Sequence, residues 1–396
     1  MRILHTSDWH LGRTLHGVDL LEHQRAFVDF LVELVRSRAV DVVVLAGDVY
    51  DRAVPPVACV SLLSDALTRL SELATVIVTP GNHDSATRLG FAAPLMREGV
   101  HILPSVDRLH EPVVVADPDG PVAFYGLPYL DPDLVRGALG GEAVADPAVD
   151  AAQEPAPRLA RSHEAVVGAA LDRIRADLAS RPGARSVVSA HAFVVGAARS
   201  ESERDIRVGG VDSVPSEVFE GIDYVALGHL HGAQRVGSSG RIRYSGSPLA
   251  FSFGEKDHTK SVAVVDLDAD GQASVKLVPA PVPRRLAELT GTLDELVGGD
   301  HDAHVDDWVR VFVTDTVHPA DLHARVRARF PHALSIQHVP EGGGPASTRR
   351  VVAVDSDPVE VATDFVEFAT RGAATDEEVA VLRSAYERAR AEAGSA

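Results

Sequence analysis

The chain has 396 residues, 45% of them hydrophobic and 24% charged, and its formal net charge is −19. This composition excludes a disordered chain and predicts a globular protein with one large domain and one or two lesser ones. The acidic excess argues against tight, unaided binding to phosphate backbones, so a nucleic-acid substrate would call for a local cationic groove or a basic partner.

A strand pattern over residues 2–7 opens the chain. No basic or long apolar segment precedes it and no later run approaches about 18 apolar residues, so no membrane association and a cytoplasmic location are expected. Phe27, Phe30, Leu31, Leu34 and Val35 recur at helical spacing, and the apolar run 42–46 follows as a strand. A helix over 58–73 and strands at 75–79, 100–103 and 122–127 continue the alternation, which predicts an α/β domain with a mixed sheet covered by helices. Cys59, within that helix, is the single cysteine and reads as a small buried residue. It excludes an intrachain disulfide and a cysteine-based zinc site, so a metal would be held by oxygen and nitrogen. Residues 131–158, rich in Pro, Asp, Ala and Gly, read as a long loop or insertion. A helix over 163–178 and strands at 186–190, 224–227, 242–244 and 261–267 complete a domain of residues 1–280. Pro281-Val282-Pro283 marks a boundary, and 281–340 reads as a small α+β capping or DNA-contact domain. The segment 341–348, with three consecutive glycines, reads as a flexible linker. Within 350–396, Pro358 opens one helix, and Thr375 with Glu378 forms a capping box that opens another.

Polar residues of one kind fall at one place in this pattern. Asp8 and His10 follow the first strand, Asp48 the second, and Asn82, His83 and Asp84 the third; His191 follows the strand at 186–190, and His229 and His231 follow that at 224–227. Each segment taken singly reads equally as a turn, a cap or a core histidine. Their joint occurrence at strand C-terminal ends, the edge where ligands of open α/β sheets bind, predicts a common site. Two divalent ions about 3.5–4 Å apart need a bridging carboxylate and terminal ligands on both sides. Mixed oxygen and nitrogen donors suit Mn, Fe or Zn better than Ca. Gly47, Gly81 and Gly228 precede ligands and are expected to let the backbone turn sharply. His5, His16 and His23 lack such support and read as surface or satisfied core residues. No GxxxxGK[ST] segment is present, so any ATP dependence would come from a partner.

These segments, DWH at 8–10, GDVYD at 47–51, GNHD at 81–84, His191 and GHLH at 228–231, resemble the signature of the calcineurin-like metallophosphoesterase superfamily. Longer stretches, at 6–12, 203–206, 208–210, 224–231 and 244–249, resemble its bacterial double-strand-break-repair nuclease branch. The resemblance implies a metallophosphoesterase sandwich with Asp8, His10, Asp48 and His231 around one ion and Asp48, Asn82, His191 and His229 around the other, Asp48 bridging. It implies two divalent ions, Mn²⁺ before others, with His83 on the scissile phosphate stabilising or protonating the departing oxygen and Asp84 orienting that imidazole. Asp51 stands where archaeal and eukaryotic relatives often have histidine, and is expected to orient a ligand. In-line attack by an activated water would then cleave a phosphodiester. Further implications are exonuclease action on duplex ends and endonuclease action on single strands and hairpins, in DNA repair, recombination and replication. The implied partners are DNA, a coiled-coil ATPase subunit docking on the C-terminal helices, and a second copy of the chain within a heterotetramer. The stripes Val361, Phe365, Phe368 and Val379, Leu382, Tyr386 would suit such docking. A small-molecule or phosphoprotein phosphoesterase using the same dinuclear site is the alternative.

Overall fold

A computed structural model of the chain describes residues 1–96, 99–140, 159–203, 213–340, 358–370 and 374–393. The expected linker at 341–348 and the stretch 204–212 lie outside the described residues. In chain order the longer strands are β1 (Arg2–Thr6), β2 (Val42–Ala46), β3 (Thr75–Thr79), β4 (Val100–Ile102), β5 (Val113–Asp117), β6 (Gly120–Leu127), β7 (Arg185–His191), β8 (Tyr224–Gly228), β9 (Gln234–Val236), β10 (Ile242–Tyr244), β11 (Ser261–Leu267) and β12 (Ala273–Pro279). They form two six-stranded sheets, in the orders β12-β11-β1-β2-β3-β4 and β9-β10-β8-β7-β6-β5. In the first, β1 to β4 are parallel and β11 runs antiparallel to both of its neighbours, β1 and β12; in the second, β6, β7, β8 and β10 are parallel and the two outer strands antiparallel. The two mixed sheets, covered by helices, make the sandwich that the resemblance implies. Periodicity identifies strands, but pairing depends on long-range contacts that it does not encode.

The strand compositions fit these positions. β2 reads Val-Val-Val-Leu-Ala and is buried throughout, as a central parallel strand covered on both faces must be. Its alternate side chains divide two cores: Val43 and Leu45 join Phe27, Leu31 and Leu62 under the helices α1 (Leu21–Arg38) and α2 (Val57–Ser71), whereas Val42 and Val44 join Phe124, Val187 and Ala226 between the sheets. His5 lies among these buried residues, with Nδ1 3.0 Å from the Tyr224 hydroxyl and Nε2 3.1 Å from the Leu227 carbonyl. Burial pushes its pKa down to about 3, so it is a neutral, satisfied core histidine as expected. Cys59 is buried in α2.

Two further helices cover the second sheet, α3 (Pro132–Leu139) and α4 (His163–Ala179). The former lies inside the stretch expected to be a loop. Asp131 caps it by accepting from the Asp133 N–H, and Pro132 occupies the first turn, where its missing N–H costs nothing. Its eight residues are too short for a periodic signal to stand out, and 141–158 lie outside the described residues.

Residues 281–340 form a parallel sheet of β13 (Leu286–Gly291), β14 (Trp308–Val313) and β15 (Ala333–His338), with α5 (Leu293–Val297) and α6 (Leu322–Arg329). They enclose a core of their own around Leu289, Leu296, Val311 and Phe330. Trp308 also packs with Leu15, Leu20, Leu249 and Phe251 of the sandwich. A separate unit contains α7 (Pro358–Thr370) and α8 (Asp376–Ala393), the latter opened by the Thr375–Glu378 capping box. Phe365 and Tyr386 are exposed there, and the Phe368 side chain lies outside the described residues.

Candidate metal centre

Strands β1, β2 and β3 of one sheet and β7 and β8 of the other end at a common rim. The turns beyond them are stitched together: the Asp8 N–H donates to the Gly47 carbonyl at 3.0 Å and the His10 N–H to the Asp48 carbonyl at 2.9 Å. The His229 N–H donates to Asp8 Oδ1 at 3.0 Å, which ties the second sheet to the first. Asp8, His10, Asp48 and His229 have φ of 53°, 43°, 47° and 105°, a left-handed conformation that non-glycine residues hold at a cost of about 1–3 kcal/mol each. Such strain persists only where the surroundings over-determine the backbone, and it collects at functional sites. Gly47 turns with φ 84°, as expected. Gly81 and Gly228 serve close approach instead: a Cβ would lie 2.2 Å from Asp48 Oδ1 at the former and 1.7 Å from the Ala46 carbonyl oxygen at the latter.

The expected ligands converge. Donor atoms of Asp8, His10 and His231 lie within 4.8 Å of one another, as do those of Asp8, Asp48 and His191, and those of His10, Asp48 and His83. His10 Nε2 is 3.1 Å from His231 Nε2, and Asp48 Oδ2 stands 3.6 Å from His10 Nε2 and 3.4 Å from His191 Nε2. That carboxylate oxygen therefore sits between two sets of donors. Asn82 Oδ1 is 2.9 Å from His191 Nε2, whose ring is oriented by Nδ1 facing the Ala46 carbonyl at 3.2 Å. The His229 ring stands edge-on to His191 at 5.4 Å, and its Nε2 is buried without a hydrogen-bond partner among the described residues. Two buried carboxylates, an amide oxygen and four imidazoles, two of which (His10 and His229) have a ring nitrogen without a hydrogen-bond partner among the described residues, fit a pair of divalent cations.

The electrostatics agree with that fit. Burial raises the Asp8 carboxyl to about 6 even with His191 and His231 opposing it. Burial also disfavours the Asp48 carboxylate, but His191, His10 and His83 overcome this and hold it well below the usual carboxylate range. Burial keeps His10 and His229 neutral, in the form that offers a lone pair to a metal.

His83 lies at the same rim with its Nε2 3.9 Å from Asp48 Oδ2. Its Nδ1 is 2.9 Å from the Asp51 carbonyl oxygen, and its N–H donates to Asp48 Oδ1 at 2.8 Å. The expected role of Asp84 is therefore corrected. Its carboxylate accepts from the backbone N–H groups of Gly81, Val49 and Tyr50 at 2.9, 3.0 and 2.9 Å, joining the β2 and β3 turns. A carboxylate commonly steers an imidazole, but here the neighbouring residue in sequence is drawn away by three orphan amides, and a main-chain carbonyl takes its place. The Asp51 side chain lies 3.8 Å from His10 Nδ1 and 3.7 Å from Arg13, so this residue bears on His83 through its carbonyl and on His10 only at longer range. Sequence reasoning also missed Gln24, on α1, whose Nε2 donates to the His10 carbonyl at 2.8 Å, and a buried group around His231 comprising Ser202, Glu255 and Lys260. No spacing links these positions to the motifs.

Residues 1–233 match the family model Calcineurin-like phosphoesterase, and residues 282–370 match one described as Type 5 capsule protein repressor C-terminal domain. The SbcD component of the SbcCD nuclease of Bacillus subtilis (strain 168) is 32% identical over 400 residues, covering 96% of this chain and 96% of that protein. The chain belongs to the SbcD family of calcineurin-like phosphoesterases. The SbcD component of the Escherichia coli (strain K12) nuclease is 28% identical over 344 residues, covering 83% of this chain and 82% of that relative. As an SbcD-family member the chain is a metal-dependent phosphodiesterase and nuclease, and its paired mixed sheets with covering helices are the fold expected of the class. Among the described residues no helix is long and apolar enough to cross a membrane.

Proposed function

We propose that the rim hydrolyses DNA phosphodiesters through two ions, most readily Mn²⁺, held by Asp8, His10, Asp48 and His231 on one side and Asp48, Asn82, His191 and His229 on the other. The observation that carries this is the Asp48 Oδ2 atom between two donor sets, with the His83 imidazole at the same rim. Bound ions would supply charge stabilisation for the transition state and lower the pKa of an attacking water. The chain's own groups supply the rest. With Nδ1–H committed to the Asp51 carbonyl, His83 gains and loses its proton at Nε2, the nitrogen placed to protonate the departing oxygen. Asp84 keeps the two turns in register, so that Asp48 and His83 stay at a fixed separation.

The substrates proposed are duplex ends, cut exonucleolytically, and single strands and hairpins, cut endonucleolytically, within a cytoplasmic SbcCD-type complex. Two arginines stand near the rim, Arg13 over Phe251 at 5.0 Å and Arg52 3.6 Å from Asp51, and both share the Asp51 carboxylate, so the acidic chain would lean on a basic partner to hold a phosphate backbone. An SbcC-type coiled-coil ATPase docking on α7 and α8 is supported by exposed Phe365 and Val381, and a homodimer within a heterotetramer by exposed Val54, Val57, Phe91 and Leu95. The purified chain with Mn²⁺ should cleave linear duplex and hairpin DNA. Activity confined to small phosphodiesters or phosphoproteins would overturn the proposal. Co-purification with the ATPase, lost on removal of residues 350–396, checks the partner.

A further inference from the structure

Among the thirty-five arginines and three lysines of the chain, one lysine is buried, and it lies beside the metal centre. Lys260 Nζ donates to the His231 carbonyl and to Ser247 Oγ, both at 3.0 Å, and pairs with Glu255 Oε2. The other oxygen of Glu255 accepts from the Ser202 hydroxyl and from the Phe251 N–H at 3.2 Å. Ser202 Oγ lies 2.6 Å from His231 Nδ1, and Glu255 Oε1 lies 3.2 Å from the same nitrogen. All four side chains are buried, Glu255 at 1% exposure and Lys260 at 4%.

A histidine presents its Nε2 lone pair to a cation only if Nδ1 carries the proton, and an acceptor at Nδ1 selects that tautomer. Because the Ser202 hydroxyl hydrogen is directed at Glu255, its oxygen faces His231 as an acceptor. Glu255 could not stay charged here alone, since an unpaired buried carboxylate is too costly, and Lys260 compensates it. The cage needs a compact ammonium: three oxygens from three directions surround Nζ, which a planar guanidinium would not satisfy. Lys260 also grips the main chain of the very residue whose ring the relay orients.

We propose that Ser202, Glu255 and Lys260 form a positioning relay that fixes the tautomer and angle of His231, so that the affinity of one ion site depends on them. This rests on the reading of His231 as a metal ligand. The test is calorimetric titration of Mn²⁺ into the full-length, metal-stripped protein, with thermal unfolding of the same samples. Ser202→Ala, which leaves the ion pair intact, and Glu255→Gln should weaken one of two Mn²⁺ binding events about 10- to 100-fold and leave the other unchanged. The metal-free melting temperature of Ser202→Ala should stay at the wild-type value, and Ser202→Thr should restore binding. If Glu255→Gln does not fold, Ser202→Ala decides alone. Wild-type binding of both ions by Ser202→Ala overturns the relay. His231→Ala separates the two levels: if it loses one ion while Ser202→Ala loses none, only the relay is wrong, and if it binds both ions normally, the ligand assignment fails with it.

Discussion

The two ends of the sandwich both bury charge, and they do so in opposite ways. At the end away from the rim, Arg185 at the start of β7 pairs with Asp117 at the end of β5 and donates to the carbonyls of Gly120 and Asp268 at 2.9 and 3.1 Å. The Met1 ammonium lies 2.6 Å from the other Asp117 oxygen. The left-handed non-glycine residue there is Ala39, with φ 48°, which merely ends α1, and the Asp117 carboxylate has two cationic partners. At the rim, carboxylates and imidazoles crowd together, ring nitrogens of His10 and His229 lack a hydrogen-bond partner among the described residues, and four non-glycine residues are held at positive φ. The first end is arranged for stability. The second is stable only because the surrounding sandwich holds it, which is the expected cost of a site preorganised for a cationic ligand.

This contrast predicts that substitutions at the rim remove activity without lowering the stability of the metal-free protein, and that substitutions at the other end do the reverse. The largest effect is expected for Asp48→Asn, which should lose both ions in calorimetry and cut nuclease turnover by about 10³-fold or more, with a metal-free melting temperature equal to or above wild type. A marked drop in that temperature would erase the distinction between the ends. Arg185→Met should cost about 3 kcal/mol in denaturant unfolding, because it leaves the Asp117 carboxylate with the Met1 ammonium alone and the Gly120 and Asp268 carbonyls without their donor, while the folded fraction keeps wild-type turnover. His83→Gln should lower turnover on the order of 10²-fold to 10³-fold with both Mn²⁺ binding events intact, and a better leaving group should restore much of the loss. Weakened ion binding in that variant would make His83 a ligand rather than a proton donor.

The smallest effect concerns pH. The Arg185 guanidinium, against burial, holds the Asp117 carboxyl well below the usual carboxylate range. A depressed folded-state pKa means that its stabilisation is complete above the unfolded value of about 3.9 and is lost as pH falls below it. Asp117→Asn should therefore be less stable than wild type at neutral pH and show a shallower decline in stability below about pH 4. Parallel acid-unfolding curves for the two proteins would contradict this pairing.

Much of the site was legible in the sequence because its ligands are local signals: short runs of Asp, Asn and His directly after apolar strands, with glycine beside them where no Cβ fits. The individual strands were legible for the same reason, since alternation and continuous apolar runs are properties of neighbouring residues. What lay between distant segments was not. The division into two sheets depends on β6, β7 and β8 pairing with one another rather than with β1 to β3, and the edge strands β5 and β12, apolar enough to read as strands, are given their places only by that long-range pairing. The partner of His83 is a carbonyl, which every residue possesses, so no residue type could have marked Asp51 for that role or withdrawn Asp84 from it. Glu255 and Lys260 likewise look like surface charges in and beside the run Gly254-Glu255-Lys256-Asp257, and only the fold buries them against His231. The sequence by itself determined which chemical groups stand at the strand ends. The tertiary structure decided which of them face one another and what holds each in place, because hydrogen-bond geometry is set by distances between segments that are remote along the chain.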